Sequence, residues 1–115
     1  MTSLADIKGY VSEVRGVRVS DIEGRRRLQD YVRPRQEVMF LARHCTALSF
    51  PAIGAGLGHR DHTTVMHGLM AVQKRMNTEP NYSCEIENMM ADIKNWNPRF
   101  IRRDALLFKS RRAKA

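Results

Sequence analysis

Apolar residues recur every three or four positions along most of the chain, which is the spacing of helices with one buried face. The first such segment runs from Ser3 to Arg15. Ser3 can cap its first turn, and Asp6 stands at the position that completes a capping box. The apolar stripe of this segment consists of Leu4, Ile7, Val11 and Val14. The pattern predicts a first helix from Ser3 to Arg15.

Two further helices are predicted between residues 20 and 46. Ser20 to Glu23 has the residue order of a second capping box, but Gly24 follows at once, so this helix should last only about one turn. A basic loop then begins at Arg25. Proline is best tolerated at the first helical position, which places the next helix over Pro34 to Thr46. The buried stripe of that helix would be Val38, Leu41, Ala42 and Cys45.

A short helix, a glycine-rich turn and a longer helix follow, which is the order of a helix-turn-helix. Ser49 can cap the short helix, Pro51 falls in its first turn, and the helix should end near Leu57. After the turn, Asp61 can cap the longer helix, which has one apolar and one polar side. The apolar positions are Val65, Leu69, Val72 and Met76, and Thr63, His67 and Lys74 fall on the opposite side.

A last amphipathic helix is predicted between the turn at Pro80 and the break at Pro98. Its apolar positions are Ile86, Met89, Met90, Ile93 and Trp96. No strand pattern or repeat is visible, so residues 1–98 should form an all-α, compact helical bundle that contains the helix-turn-helix. Residues 99–115 hold seven basic residues and one acidic residue. They are expected to form a basic C-terminal tail that contacts DNA nonspecifically or binds a partner protein.

Composition narrows the classes of function. Lys and Arg number 20 against 12 Asp and Glu, a formal net charge of +8 that suits a polyanion binder, although a basic surface can also serve solubility alone. No signal-like or membrane-spanning run is present, so we expect a cytoplasmic protein that does not bind membranes.

Cys45 and Cys84 lie in helical patterns and are expected to be buried thiols. The histidines at positions 59, 62 and 67 lack the spacing of a zinc site, so no metal is expected.

One segment is similar to a known family. The residues from Arg33 to Met76 resemble the C-terminal DNA-binding domain of the bacterial replication initiator DnaA, with the signature RDHTTV at Arg60 to Val65. The resemblance continues upstream through Val19 to Ile22 and the basic loop, and it covers roughly Leu4 to Met76. It implies a helix-turn-helix that reads duplex DNA with the start of its second helix in the major groove.

The resemblance also implies roles for single residues. Arg27 in the basic loop matches the family's minor-groove arginine, and Arg25 and Arg26 beside it are well placed for the same groove. The residues that match the major-groove base readers are Arg60, Asp61, His62 and Thr63. Those that match contacts to the DNA backbone are Arg43, Phe50, Pro51 and Thr64. His67 also matches the motif, with a phosphate contact and simple solvation as the two alternatives.

The chemistry of these side chains agrees with base reading. Arg60 can form a bidentate pair with guanine, Asp61 can accept from the cytosine amine, and the methyl group of Thr63 suits thymine. By helical angle His62 lies toward the flank of the core side, so a structural histidine is the alternative to a groove contact. The chain departs from the family at Gly58-His59, where the family has paired glycines.

No GxxxxGK followed by Ser or Thr occurs, and no catalytic constellation is visible, so we expect neither bound nucleotide, nor cofactor, nor enzymatic activity. The leading hypothesis is a free-standing regulator of replication or transcription that binds double-stranded DNA at DnaA-box-like sites, as a monomer on an asymmetric site. The alternatives are an excised origin-binding domain of a full initiator, and a helix-turn-helix that has become a protein-docking surface.

Overall fold

The structure, a computed structural model, describes residues 2–94, and every regular element within them is a helix. The predicted all-α class and the bundle with a helix-turn-helix are therefore confirmed. The helices are α1 (Leu4–Arg15), α2 (Val19–Glu23), α3 (Gln29–Cys45), α4 (Phe50–Gly56), α5 (His62–Thr78) and α6 (Tyr82–Lys94). The predicted contribution of Trp96, the break at Pro98 and the basic tail lie outside the described residues.

The capping of α1 agrees with the sequence. The Ser3 hydroxyl accepts from the backbone N–H of Asp6 at 3.1 Å, and the Asp6 carboxylate accepts from the backbone N–H of Ser3 at 3.1 Å. The helix ends at Gly16, which has φ 70°, the left-handed conformation that glycine adopts most easily. The predicted capping box and helix bounds are confirmed.

The second predicted capping box is wrong. Helix α2 is short, as expected, but it begins at Val19 after an N-cap residue, Arg18, that makes no side-chain capping bond. Ser20 and Asp21 therefore lie inside its first turn. The Asp21 carboxylate instead accepts from Nε of Arg18 at 3.3 Å, an ion pair that takes the place of the expected cap.

Helix α3 begins five residues before the predicted start at Pro34, which lies inside the helix. A proline there removes one intrahelical bond, yet the preceding turn stays helical. The Leu28 carbonyl accepts from the N–H groups of Tyr31 and Val32 at 2.9 and 2.8 Å. The guanidinium of Arg33 pairs with Glu79 at 2.8 Å, so a tertiary contact also fixes this turn. The tertiary structure thus outweighs the preference of proline for the first position of a helix.

Helix α3 is the centre of the bundle and packs against all five other helices. Its buried residues meet those of α1, α5 and α6 in one core. The predicted core positions Val65 and Val72 of α5 are fully buried, and Leu69 and Met76 pack partly buried against the same core. The predicted orientation of α5, with its apolar side inward, is confirmed.

The core also contains a buried ionic network on the side of α6. Arg15 donates from Nε and Nη2 to the Glu37 carboxylate at 2.7 and 2.6 Å, and from Nη1 to Glu85 at 3.1 Å. The Tyr82 hydroxyl donates to Glu37 at 2.6 Å. Burial, with Glu37 beside it, raises the pKa of Tyr82. The network joins α1, α3 and α6.

Other expectations have mixed outcomes in the described part of the chain. Cys45 is half-buried, but Cys84 is exposed on α6, which corrects the expectation that both thiols are buried. The apolar stripe of α6 turns Ile86 and Met89 inward and leaves Cys84 on the solvent side. Within residues 2–94, no helix is long and apolar enough to cross a membrane. In the same residues no group of three or more His, Cys, Asp and Glu is arranged to hold a metal ion.

Candidate nucleic-acid interface

The helix-turn-helix consists of α4, a turn of residues 57–61, and α5. Ser49 caps α4, because its hydroxyl accepts from a backbone N–H of the first turn at 3.2 Å, and Pro51 lies in that turn. Gly54 lets the chain return closely over α4, since a Cβ there would lie 2.1 Å from the carbonyl oxygen of Arg60. The N–H of Arg60 donates to the Gly54 carbonyl at 2.8 Å. The predicted cap by Ser49 and the place of Pro51 are confirmed.

Two successive residues of this turn have left-handed backbone conformations. Gly58 has φ 77° and His59 has φ 56°. His59 thus occupies a conformation that favours glycine, at the position where the family carries a glycine. The histidine is exposed, so it needs no buried partner in this turn.

The first turn of α5 presents polar side chains to solvent. The Asp61 carboxylate caps the helix by accepting from the N–H of Thr63 at 3.1 Å. Hydrogen bonding to the side chain and then to the backbone of Thr63 lowers the pKa of Asp61. Thr64 and His67 are exposed on the same helix. The side chain of His62 is 55% exposed, and its Nδ1 lies 3.4 Å from Asp61, which disfavours the structural alternative for this histidine.

The basic loop lies between α2 and α3 and carries three exposed arginines, Arg25, Arg26 and Arg27. The Arg26 guanidinium stands over the Tyr31 ring, 5.9 Å from its centroid. Within residues 2–94, none of the three forms an ion pair. Their positive charge is therefore open to an external anion.

A groove of about 710 Å³ separates the basic loop from the first turns of α5. Both walls carry polar side chains and most of the charged lining is basic, so the groove can accommodate an anionic strand between the two elements. The side chains that line it include Arg25, Arg27, His59, Thr64 and His67. The structure thus brings the basic loop and the start of α5 to one face, as two separate elements.

Arg60 differs from the other candidate base readers because its guanidinium is already engaged within the protein. Nη1 donates to the Leu57 carbonyl at 2.6 Å and to the Glu23 carbonyl at 3.1 Å, and Nη2 donates to the Gly24 carbonyl. Burial, followed by the nearby charges of Arg35 and Arg25, lowers the pKa of Arg60. The guanine pairing expected of this residue stays a prediction.

Arg43, Phe50 and Pro51 form a separate cluster near the start of α4. The guanidinium of Arg43 lies over the Phe50 ring, 4.6 Å from its centroid, and donates to the Leu48 carbonyl at 3.1 Å. Arg43 and Pro51 are exposed. The ring orients the guanidinium while leaving it accessible, as a contact to a phosphate would require.

Two charged residues of α3 whose burial sequence reasoning did not predict shape this face and the opposite side. Arg35 is 5% exposed and Glu37 is 2% exposed. Arg35 donates to the backbone carbonyls of Ile22 and Asp21 at 2.7 and 2.9 Å. The signal was helical spacing, because Arg35 stands three positions before Val38, which is fully buried.

Comparison with known families shows which family the chain belongs to. The family described as "Bacterial dnaA protein helix-turn-helix" matches residues 4–72, which is more than half of the 115-residue chain. The chain belongs to this family. The predicted resemblance is thereby confirmed, and the match spans α1 through most of α5, including the basic loop and the helix-turn-helix.

Curated relatives in this DnaA family are chromosomal replication initiator proteins. The chain is similar to the protein from Neisseria gonorrhoeae, with 42% identity over 79 residues, which are 69% of this chain and 15% of the relative. It is 37% identical over 91 residues to the protein from Ruegeria sp., covering 79% of this chain and 19% of the relative. It is 40% identical over 85 residues to the protein from Ruegeria pomeroyi, covering 74% and 18%. The chain thus spans less than a fifth of the length of these relatives.

Proposed function

We propose that the chain binds double-stranded DNA sequence-specifically, at DnaA-box-like sites, and regulates replication initiation or transcription without ATPase activity. The observation that carries this proposal is the groove between two unlike elements on one face. One wall is the polar start of α5, and the other is a loop of three arginines without ion pairs in the described chain. Duplex DNA offers base edges in its grooves and phosphates along its backbone, and the similarity to chromosomal replication initiator proteins agrees with such a role.

The start of α5 is the proposed major-groove reader. Asp61, His62 and Thr63 are exposed at its N-terminal end, where side chains of a recognition helix reach base edges. The Asp61 carboxylate is 65% exposed and can accept from a cytosine amine, and the Thr63 methyl group suits thymine. Thr64 and His67 line the groove toward the basic loop, which suits contacts to the DNA backbone.

The basic loop is the proposed minor-groove arm. Arg27 lines the groove and is exposed, so its guanidinium can enter an adjacent narrow minor groove. Arg25 and Arg26 would then neutralise flanking phosphates. Arg43, held over Phe50, and Pro51 would contact the backbone from the other side of the helix-turn-helix. An arm and one helix-turn-helix read a single continuous stretch, so binding as a monomer to an asymmetric site is proposed.

The regulatory role proposed is occupancy of DNA sites. The chain has no phosphate-binding loop of the P-loop type, so nucleotide should neither bind nor change DNA affinity. A protein that occupies initiator sites without ATPase activity can compete with an initiator or act on a nearby promoter. An enzymatic role has no group of nucleophile, base and oxyanion donors to support it in the sequence.

Selection of bound sequences from a random duplex pool tests the proposal. We expect one enriched, non-palindromic motif, with one protein per site in a titration. Affinity should fall steeply with salt, with a log-log slope of about −4 to −7 for roughly five to eight phosphate contacts. A Thr63→Ala variant should lose preference at one position only. Exclusively palindromic motifs with two proteins per site, or a nearly flat salt response, would contradict the proposal.

A further inference from the structure

The C-terminal end of α2 receives four hydrogen bonds from two arginines of other elements. The last carbonyls of a helix have no intrahelical partner, and α2 has only five residues, so most of its carbonyls need outside donors. Arg35 of α3 donates to the Asp21 and Ile22 carbonyls. Arg60 of the helix-turn-helix donates to those of Glu23 and Gly24. Together with its bond to Leu57, the Arg60 fork ties the end of α2 to the turn before α5.

The turn and α2 are also packed directly against each other at this point. A Cβ on Gly58 would lie 2.3 Å from the Glu23 carbonyl oxygen and 2.5 Å from Nη1 of Arg60, so only a glycine fits. From α1, Lys8 adds a third cation that donates to the Glu23 carboxylate and, at 2.8 Å, to the Gly56 carbonyl. The junction is therefore a built contact between the end of α2, from which the basic loop leaves, and the turn before α5.

The basic loop leaves the protein from this junction, because Gly24 is followed at once by Arg25, Arg26 and Arg27. We propose that Arg60 is a positioning residue: it fixes where the basic loop begins relative to α5, and so sets how the minor-groove arm meets DNA. This inference rests on the proposed DNA binding for its functional consequence. It assigns Arg60 a role in the A·T preference of the loop, in place of the guanine contact predicted from the motif.

The geometry requires an arginine rather than any cation. Two nitrogens of one planar guanidinium reach three carbonyl oxygens that belong to the turn and to the end of α2. Lysine carries a single compact ammonium and cannot span the same three acceptors in a fixed fork. Arg60→Lys therefore keeps the positive charge but removes the set of hydrogen bonds that joins the turn to the end of α2.

Backbone order in the DNA-free protein tests the positioning role alone. NMR relaxation order parameters of residues 24–28 should fall in Arg60→Lys and stay at the wild-type level in Arg27→Ala. Arg60→Lys is used because it retains the cation, and a thermal melt establishes that each variant is folded. If order in residues 24–28 is the same in Arg60→Lys as in the wild type, Arg60 does not position the loop, whatever the variant does to DNA binding.

A double-mutant cycle on one library of altered sites tests the functional consequence. Arg60→Lys should lose preference at the same A·T positions as Arg27→Ala and keep any guanine preference. The double variant should bind less than about threefold more weakly than Arg27→Ala alone, because both changes remove one loop contact. If the losses of DNA affinity in the two single variants multiply in the double variant, and Arg60→Lys erases the guanine preference, the inference is wrong and Arg60 reads a base. A wild type without any sequence preference would refute the proposed function and leave the NMR result to decide the positioning role.

Discussion

Arginines at two ends of this bundle have opposite environments. The side chain of Arg15 is 5% exposed and bonds to the carboxylates of Glu37 and Glu85, whereas Arg25, Arg26 and Arg27 are exposed and form no ion pair within residues 2–94. Burial acts to lower the pKa of Arg15, but these two carboxylates raise it overall. The position of the acidic residues therefore determines which arginines stabilise the fold and which remain open to an external anion.

The acidic residues that form ion pairs do so with residues other than the arginines of the basic loop. Glu37 and Glu85 hold Arg15, while Glu23 and Glu79 pair with Lys8 and Arg33. A uniform mixing of charges would have neutralised the loop as well. Within residues 2–94, the three arginines of the basic loop thus keep their positive charge unpaired on the face with the groove, which favours long-range attraction to a polyanion.

The largest expected effect is a loss of stability when the buried ionic network around Arg15 is broken. Glu37→Ala removes the carboxylate that accepts from Arg15 and from the Tyr82 hydroxyl, and it leaves the Arg15 guanidinium bonded to Glu85 in this ionic network. We expect a loss of about 3–5 kcal/mol in the free energy of unfolding, measured by urea denaturation. Glu87→Ala, an exposed change on α6, is the control and should stay within about 0.5 kcal/mol. A loss below about 1 kcal/mol for Glu37→Ala would show that the pair is not stabilising.

Two glycine substitutions compare the stability of the junction between α2 and the turn with that of an ordinary helix surface. Gly58→Ala places a Cβ against the Glu23 carbonyl in a left-handed turn, and should lower the free energy of unfolding by about 1–3 kcal/mol. Gly9→Ala, inside α1 with nothing within 4 Å of the added Cβ, should raise it by about 0.5–1 kcal/mol. Urea denaturation of both variants measures the contrast. Equal and small effects would mean that the turn does not depend on close contact with α2.

The exposed arginines should affect binding without affecting stability. Arg27→Ala should weaken DNA binding by about tenfold and reduce the salt slope by about 1, since one guanidinium leaves the groove. Its melting temperature should match that of the wild type because the side chain is exposed and unpaired in the described residues. Arg18→Ala is the matched control, an arginine that is 83% exposed but lies outside the loop. Equal losses for the two variants would mean that net charge, and not the loop, carries the binding.

Much of the fold was predictable from the sequence because it depends on local periodicity and caps. Ser3, Ser49 and Asp61 cap helices as expected, since each bond is made within three residues. The start of α3 was not predictable, because Pro34 lies inside the helix and its first turns contact residues distant in sequence, as Arg33 contacts Glu79 across 46 positions. The engagement of Arg60 was missed for the same reason: its acceptors at Glu23 and Gly24 are distant in sequence. Motif similarity predicts which residues lie on the face with the groove. Tertiary contacts determine which of their side chains are available to an external ligand.

The smallest expected effect concerns Asp61, which belongs to the exposed side yet also stabilises the fold. Hydrogen bonding to Thr63 lowers its pKa in the folded protein, and His62 beside it lowers the pKa further. A carboxyl whose pKa is depressed on folding adds stability above its unfolded pKa, near 4, and loses that contribution as the pH falls through the folded value. Asp61→Asn keeps an oxygen that can cap the helix but does not titrate. The melting temperature of the wild type should therefore exceed that of Asp61→Asn slightly at pH 6, and the difference should shrink steadily below about pH 4. The remaining carboxylates titrate in both proteins and cancel in the difference, so a gap that stays constant from pH 6 to pH 2.5 would show that charge plays no part in this cap.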